Sequence, residues 1–301
     1  QVIEQGLVAE EFEFWDRPTG EKIATFDHAA LSDDTKFPFV VQCEQFKLAK
    51  IFLAKLRGEA TATVLFDHDV TAIDHTPDGV TVTATTPDGE KTFEGDWLIG
   101  ADGGRSVVRK SAGIAFEGFT WPERFLVLST PFDFQADLLS DEFVQEKMQK
   151  FFKRDADYDI VHRNLYNVHQ RVAATFRLGR VLLAGDSAHV NNSIGGMGLN
   201  GGIQDAVNLT DKLAAVIVDG EDERLMDLYD KQRRTYAVDF VQEQTIANKK
   251  RLEATEPEAR AANMQNLRDM AADPVKARNF LLGASMIAAM RRNAEVTLED
   301  A

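Results

Sequence analysis

The chain has a single cysteine in 301 residues. Cys43 alone excludes an intramolecular disulfide and any cysteine-rich metal site. Its neighbours Val40 and Val41 predict a buried structural thiol. The six histidines show no HxxxH or HExxH spacing, so no metal site is readable. No apolar run approaches the ~20 residues that a membrane-spanning helix needs. Positive charge is also scarce: 34 Lys and Arg stand against 49 Asp and Glu, a net charge of −15. That argues against nucleic acid as a partner, which calls for a basic face, and against anionic membrane surfaces. What remains, 44% hydrophobic and 28% charged, describes an ordinary soluble globule of one large or two small domains. A cytoplasmic compartment is the expectation, and a homodimer is left open.

Chemistry concentrates in two stretches. The apolar run Val181 to Ala184 leads into Gly185-Asp186-Ser187-Ala188-His189, then Gly195-Gly196-Met197-Gly198-Leu199-Asn200, then a helical pattern. Strand, acidic turn, glycine loop and helix in succession suit a bound cofactor. The Asp can accept hydrogen bonds from a polyol. The glycines let backbone N–H groups approach a flat ring, and the helix N-terminus adds positive potential. Upstream, Trp97-Leu98-Ile99-Gly100-Ala101 reads as a buried strand ending in Asp102-Gly103, with Arg109 six positions beyond Gly103. Taken alone, Asp102 reads equally well as a helix cap and Arg109 as a surface ion pair. Ser187 and His189 invite a hydrolase reading, but no G-x-S-x-G elbow is present.

Together these stretches resemble the GD and DG motifs of the class A flavoprotein monooxygenases, the para-hydroxybenzoate hydroxylase family. The resemblance implies that Asp186 binds the ribityl chain of FAD. Gly198, Leu199 and Asn200 would then lie beside the isoalloxazine, and Gly185, Gly195 and Gly196 would also bind the cofactor. It implies that Asp102, Gly103 and Arg109 organise the FAD–nicotinamide region. Gln45, in Gln45-Phe46-Lys47-Leu48, matches a family helix whose Gln contacts the flavin side of FAD. The family uses NADH or NADPH to reduce FAD, forms a flavin hydroperoxide with O2, and hydroxylates an aromatic, usually phenolic, substrate. No protein nucleophile is needed, and His189 is expected to pack behind the glycine loop. One departure concerns the loop between His189 and the glycines. The family carries proline there and this chain has Asn191-Asn192-Ser193-Ile194, which implies a less rigid loop.

The expected fold is α/β: a glutathione-reductase-like, Rossmann-type FAD-binding domain, a mostly antiparallel substrate sheet, and C-terminal helices. Residues 1–110 and 171–220 are assigned to the FAD domain, 111–170 to a remnant of the substrate domain, and 221–301 to the helical region. Helices are predicted over Gln45–Leu56, Asp141–Phe152 and from Ile203. They continue across 224–252 and 259–292, with breaks at Glu256-Pro257 and Asp273-Pro274. The charged faces of these last helices are expected to be solvated. Strands are predicted at Lys22–Phe26, Thr63–Phe66, Val70–Ile73, Val80–Ala84 and Phe125–Pro131. Thr-Pro-Asp-Gly at 76–79 and again at 86–89 predicts the turns of a meander. The family's opening G-x-G-x-x-G turn is missing, and the chain opens on Gln1. The expectation is that about 60–70 family residues are absent there, and that more are absent near Leu138-Leu139, omitted from a longer chain. The rival readings are a non-catalytic flavoprotein-like scaffold and another flavin oxidoreductase or halogenase of the same fold.

Overall fold

The computed structural model describes residues 1–16, 19–129, 149, 162–193, 195–252 and 256–299. The chain divides into two compact units: 1–116 with 172–301, and Glu117–Arg171.

The larger unit opens with a short helix, α1 (Val2–Gln5), and strand β1 (Leu7–Ala9). A hairpin follows from β2 (Glu11–Asp16) and β3 (Glu21–Asp27). Strand β4 (Val40–Gln42) pairs antiparallel with β1, and α2 spans Gln45–Leu56 with the predicted limits. Next comes the meander of β5 (Asp69–His75), β6 (Val80–Thr86) and β7 (Gly89–Gly95). Its two Thr-Pro-Asp-Gly turns are built alike. The Thr76 hydroxyl accepts the Asp78 N–H and the Thr86 hydroxyl accepts the Asp88 N–H, each at 3.2 Å. Thr63–Phe66 is not a strand. Val64, Leu65 and Phe66 are exposed there, and β-propensity without a pairing partner makes no ladder.

Strand β8 (Leu98–Gly100) leads to the short helix α3 (Val107–Ser111). In the smaller unit β9 (Phe116–Ser129) and β10 (His162–Ala173) are hydrogen-bonded neighbours. A Cβ on Gly118 would lie 2.1 Å from the Gln170 carbonyl oxygen, so glycine is required at that crossing. The chain then forms β11 (Arg177–Leu178), β12 (Val181–Leu183) and β13 (His189–Val190). Strand β12 runs parallel to β8 and antiparallel to β11. It is buried on both faces, as a central parallel strand should be. β8 is the edge of this sheet, and Ile99, expected to be buried, is exposed.

The rest is helical: α4 (Met197–Val218), α5 (Arg224–Tyr236), a π-helical turn (Ala237–Gln242), α6 (Glu243–Leu252), α7 (Pro257–Ala272), α8 (Pro274–Ala284) and α9 (Ile287–Glu295). Pro257 and Pro274 each open a helix, where a missing N–H costs nothing. One break was not predicted. Met286 takes a left-handed conformation, φ 62°, between α8 and α9. The main core packs β12, Val108 and Phe176 against Leu209, Met226 and Tyr229 of α4 and α5. A second core seats the β2–β3 hairpin, through Ala24 and Phe26, on Leu267, Leu281 and Leu282. Asp34 receives both Arg278 and Arg291, tying the last helices to the loop after β3.

The predicted Asp141–Phe152 helix, apart from helical Gln149, lies outside the described residues, as do the Leu138-Leu139 gap and the Arg17-Pro18 turn. Among the described residues no helix is long and apolar enough to cross a membrane. Among them, too, no group of three His, Cys, Asp or Glu gathers to hold a metal.

Candidate functional site

Two turns meet at the carboxyl ends of the parallel pair β8 and β12, the edge where open α/β sheets bind ligands. The Ser187 hydroxyl joins them, donating to the Gly100 carbonyl at the end of β8. Asp102 caps α3 by accepting the Val108 N–H at 3.1 Å. Gly103 has φ 80°, open to glycine at little cost.

Arg109 departs from the surface ion-pair alternative. It sits in the first turn of α3 and is buried, 3% exposed, so it is no surface ion pair. Its guanidinium donates to the Ser187 carbonyl at 2.7 Å and the Gly104 carbonyl at 2.9 Å. It also stacks 3.7 Å from the Phe116 ring centre. The fork therefore braces the Asp-Gly turn against the Gly-Asp turn and faces backbone carbonyls.

Asp186 stands just past the end of β12 with its side chain exposed. Protein crowding strips part of the water from its carboxyl and raises its pKa above the usual carboxylate range. His189 nearby opposes that rise, while Asp205 adds to it.

Asp205, on α4, was not singled out from the sequence. It is fully buried and holds the Gly-Asp turn from behind. One carboxylate oxygen accepts the Gly185 N–H at 2.9 Å and faces His189 Nε2 at 2.8 Å. The other accepts Arg233 Nε at 2.6 Å. Burial alone would raise its pKa, but His189 and Arg233 override that and hold it below the ordinary range. His189 is buried and stacks on Phe176. Arg233 and Lys249, predicted to be solvated, are each 1% exposed. Their signal was invisible, because periodicity does not tell which charged residue on a helix meets a buried partner.

The glycine loop forms the wall of a cavity of about 620 Å³. Gly195, Gly196, Leu199, Asn200 and Gln204 line it on one side, and Phe12, Gln42, Cys43 and Leu48 on another. Gly196, at φ 66°, is the N-cap of α4, and no side chain caps that end. The first N–H groups of a 22-residue helix are thus available to a ligand. The Gln204 side-chain carbonyl is buried with no hydrogen-bond partner. Gly198 packs beside Asn191. A flat ring rimmed by N–H and carbonyl groups, as in the isoalloxazine of FAD, matches this donor set and the orphaned Gln204 oxygen. The residues present fit the flavin ring of FAD.

Gln45 is not among the residues lining the cavity and is exposed on the first turn of α2. Gln42 and Leu48 of the same segment take the wall instead. Cys43, expected to be buried, is half-buried on that wall, because β4 turns into α2 beside the cavity. The loop without proline is anchored differently: buried Asn192 donates to the Thr245 carbonyl at 3.1 Å.

The family model described as FAD binding domain matches residues 6–149 and 133–244. Para-nitrophenol 4-monooxygenase of Pseudomonas sp. strain WBC-3 is 32% identical over 304 residues, covering 87% of this chain and 75% of that protein. A 6-hydroxy-3-succinoylpyridine 3-monooxygenase of Pseudomonas putida strain DSM 28022 is 30% identical over 319 residues, covering 93% and 81%. The crystal structure of p-nitrophenol 4-monooxygenase from Pseudomonas putida DLL-E4 superposes with a TM-score of 0.86 at 29% identity, covering 93% of this chain and 81% of that one.

Proposed function

The chain belongs to the FAD-binding-domain family of class A flavin monooxygenases, enzymes of the aromatic hydroxylase type, and from that premise we propose that it hydroxylates a small phenolic ring. Bound FAD supplies the redox chemistry: two electrons pass from NADH or NADPH to O2, one oxygen atom enters a ring C–H bond as hydroxyl, and the other leaves as water. The observation that carries this reading is the glycine-walled cavity at the uncapped N-terminus of α4, the helix that also holds the Gly-Asp turn through Asp205, although Asp186 itself does not line that cavity.

The chain's own residues bind and orient. Asp186 accepts hydrogen bonds from ribityl hydroxyls. The N–H groups near Leu199 and Asn200, with the α4 N-terminus, stabilise negative charge at the pyrimidine edge. Gln204 accepts an N–H with its free carbonyl. Gly185, Gly195, Gly196 and Gly198 keep the backbone close to the ring. Asp102, Gly103 and Arg109 act at one remove, holding the two turns together. Phe12 and Leu199 give the cavity an apolar part of its wall.

Reconstitution tests the reading. Protein mixed with FAD and desalted should retain flavin absorbance and oxidise NADH or NADPH faster when a phenol is added. Colourless protein, or oxidation indifferent to every phenol, would overturn it.

A further inference from the structure

A second cavity adjoins the first. It encloses about 360 Å³ and shares Phe12, Gly195 and Ala284 with the larger one. Three phenylalanines build one wall. The Phe12 and Phe14 rings meet edge to face with centres 5.2 Å apart, and each lies 5.9 Å from Phe280. Amides line it from α8, as Asn279, and from α6. Gln244 and Asn248, four residues apart and so one above the other on the helix, both line the space. Among the described residues no protein group bonds either side-chain amide. Asn248 reaches the shared boundary: its Nδ2 is 3.1 Å from where a Cβ on Gly195 would stand. None of the described lining residues is acidic or basic.

We propose that this cavity is the substrate site and selects an uncharged single-ring phenol, its ring against Phe12, Phe14 and Phe280 and its hydroxyl on Gln244 and Asn248. The inference rests on the hydroxylase reading above and names the substrate class for it. Aromatic rings pack favourably edge to face on such a wall. An amide donates and accepts, as a phenol hydroxyl does, so the two unpaired amides find matched partners. A carboxylate here would lose its water and meet no cation among the described lining residues, which is costly. The volume stands at the small end for ligand cavities, which suits one ring better than a fused system. Adjacency through Gly195 sets the ring beside the loop that holds the cofactor.

The test compares para-cresol with para-hydroxybenzoate on the FAD-loaded enzyme. The two share the single ring and its hydroxyl and differ in a para methyl against a charged carboxylate. Binding is followed by equilibrium dialysis and turnover by stimulated NAD(P)H oxidation. Para-cresol should have a KM at least about tenfold lower. Asn248→Leu and Gln244→Leu should each raise that KM about tenfold while FAD content holds. Asn248→Arg should move the preference toward para-hydroxybenzoate by at least about tenfold. A wild-type preference for para-hydroxybenzoate, or a preference unmoved in Asn248→Arg, overturns the inference and leaves the hydroxylase reading intact. Para-cresol binding that is lost in Asn248→Leu, with no stimulated oxidation, upholds the cavity and overturns the hydroxylase reading instead.

Discussion

The Asp205 carboxylate accepts the Gly185 N–H at 2.9 Å, so a fully buried charge on α4 fixes the turn that carries Asp186. The same carboxylate faces His189 and Arg233. Removing one partner from such a cluster strands the others in low dielectric. Asp205→Asn should therefore lower stability by about 3–5 kcal/mol, read as the urea midpoint. Its pKa is lowered in the folded state. The stability it contributes is present above the unfolded value near ~3.9 and is lost as pH falls through the lower folded value. Wild type should lose melting temperature in that acid window, and Asp205→Asn should show a flatter acid limb.

Asp186 carries the opposite sign. Crowding raises its folded pKa, so its ionisation costs the folded state stability as pH rises past the unfolded value. Asp186→Asn should raise the melting temperature of the FAD-free protein at neutral pH. It should also weaken FAD binding by the value of a charge-assisted hydrogen bond, about 1.5–3 kcal/mol, or roughly 10- to 150-fold in Kd. Thermal melts and FAD titration on the same preparation check both halves. Unchanged FAD affinity would remove Asp186 from the ribityl site.

Arg109→Lys keeps the charge and loses the fork between Ser187 and Gly104. A surface cation would tolerate this within a few tenths of a kcal/mol. A buried brace should not: stability should fall by about 2–3 kcal/mol, and FAD affinity should fall with it as the two turns part. A denaturation curve and an FAD titration decide between the two.

Asn192→Ala deletes the donor to the buried Thr245 carbonyl. The expected loss is about 1–3 kcal/mol, with faster proteolysis within the loop ahead of the glycines. An unchanged cleavage rate would mean that the loop is held elsewhere.

The two glycine turns were legible in the sequence because their chemistry is local. A strand, an Asp-Gly or Gly-Asp pair and a helix follow one another within a short span, and α2 and the meander carry their own periodicity and turn residues. What could not be read depends on partners far along the chain. Asp205 and Arg233 are 28 residues apart on different helices, and each alone resembles a solvated charge. Thr63–Phe66 has strand-forming residues, but pairing decides strands. The α8–α9 break sits on a left-handed methionine, which no residue preference announces. Arg109 was found by its spacing, but its role required knowing that its guanidinium reaches the carbonyls of both Ser187 and Gly104.

Isotopically labelled O2 tests the central claim most directly. FAD-loaded protein is given NADH or NADPH and a simple phenol under the labelled gas, and the product is weighed by mass spectrometry. The account predicts a ring-hydroxylated product carrying one labelled oxygen, with one NAD(P)H consumed for each coupled turnover. A product whose new oxygen comes from water, or NAD(P)H oxidation that yields only peroxide whatever phenol is present, would contradict it.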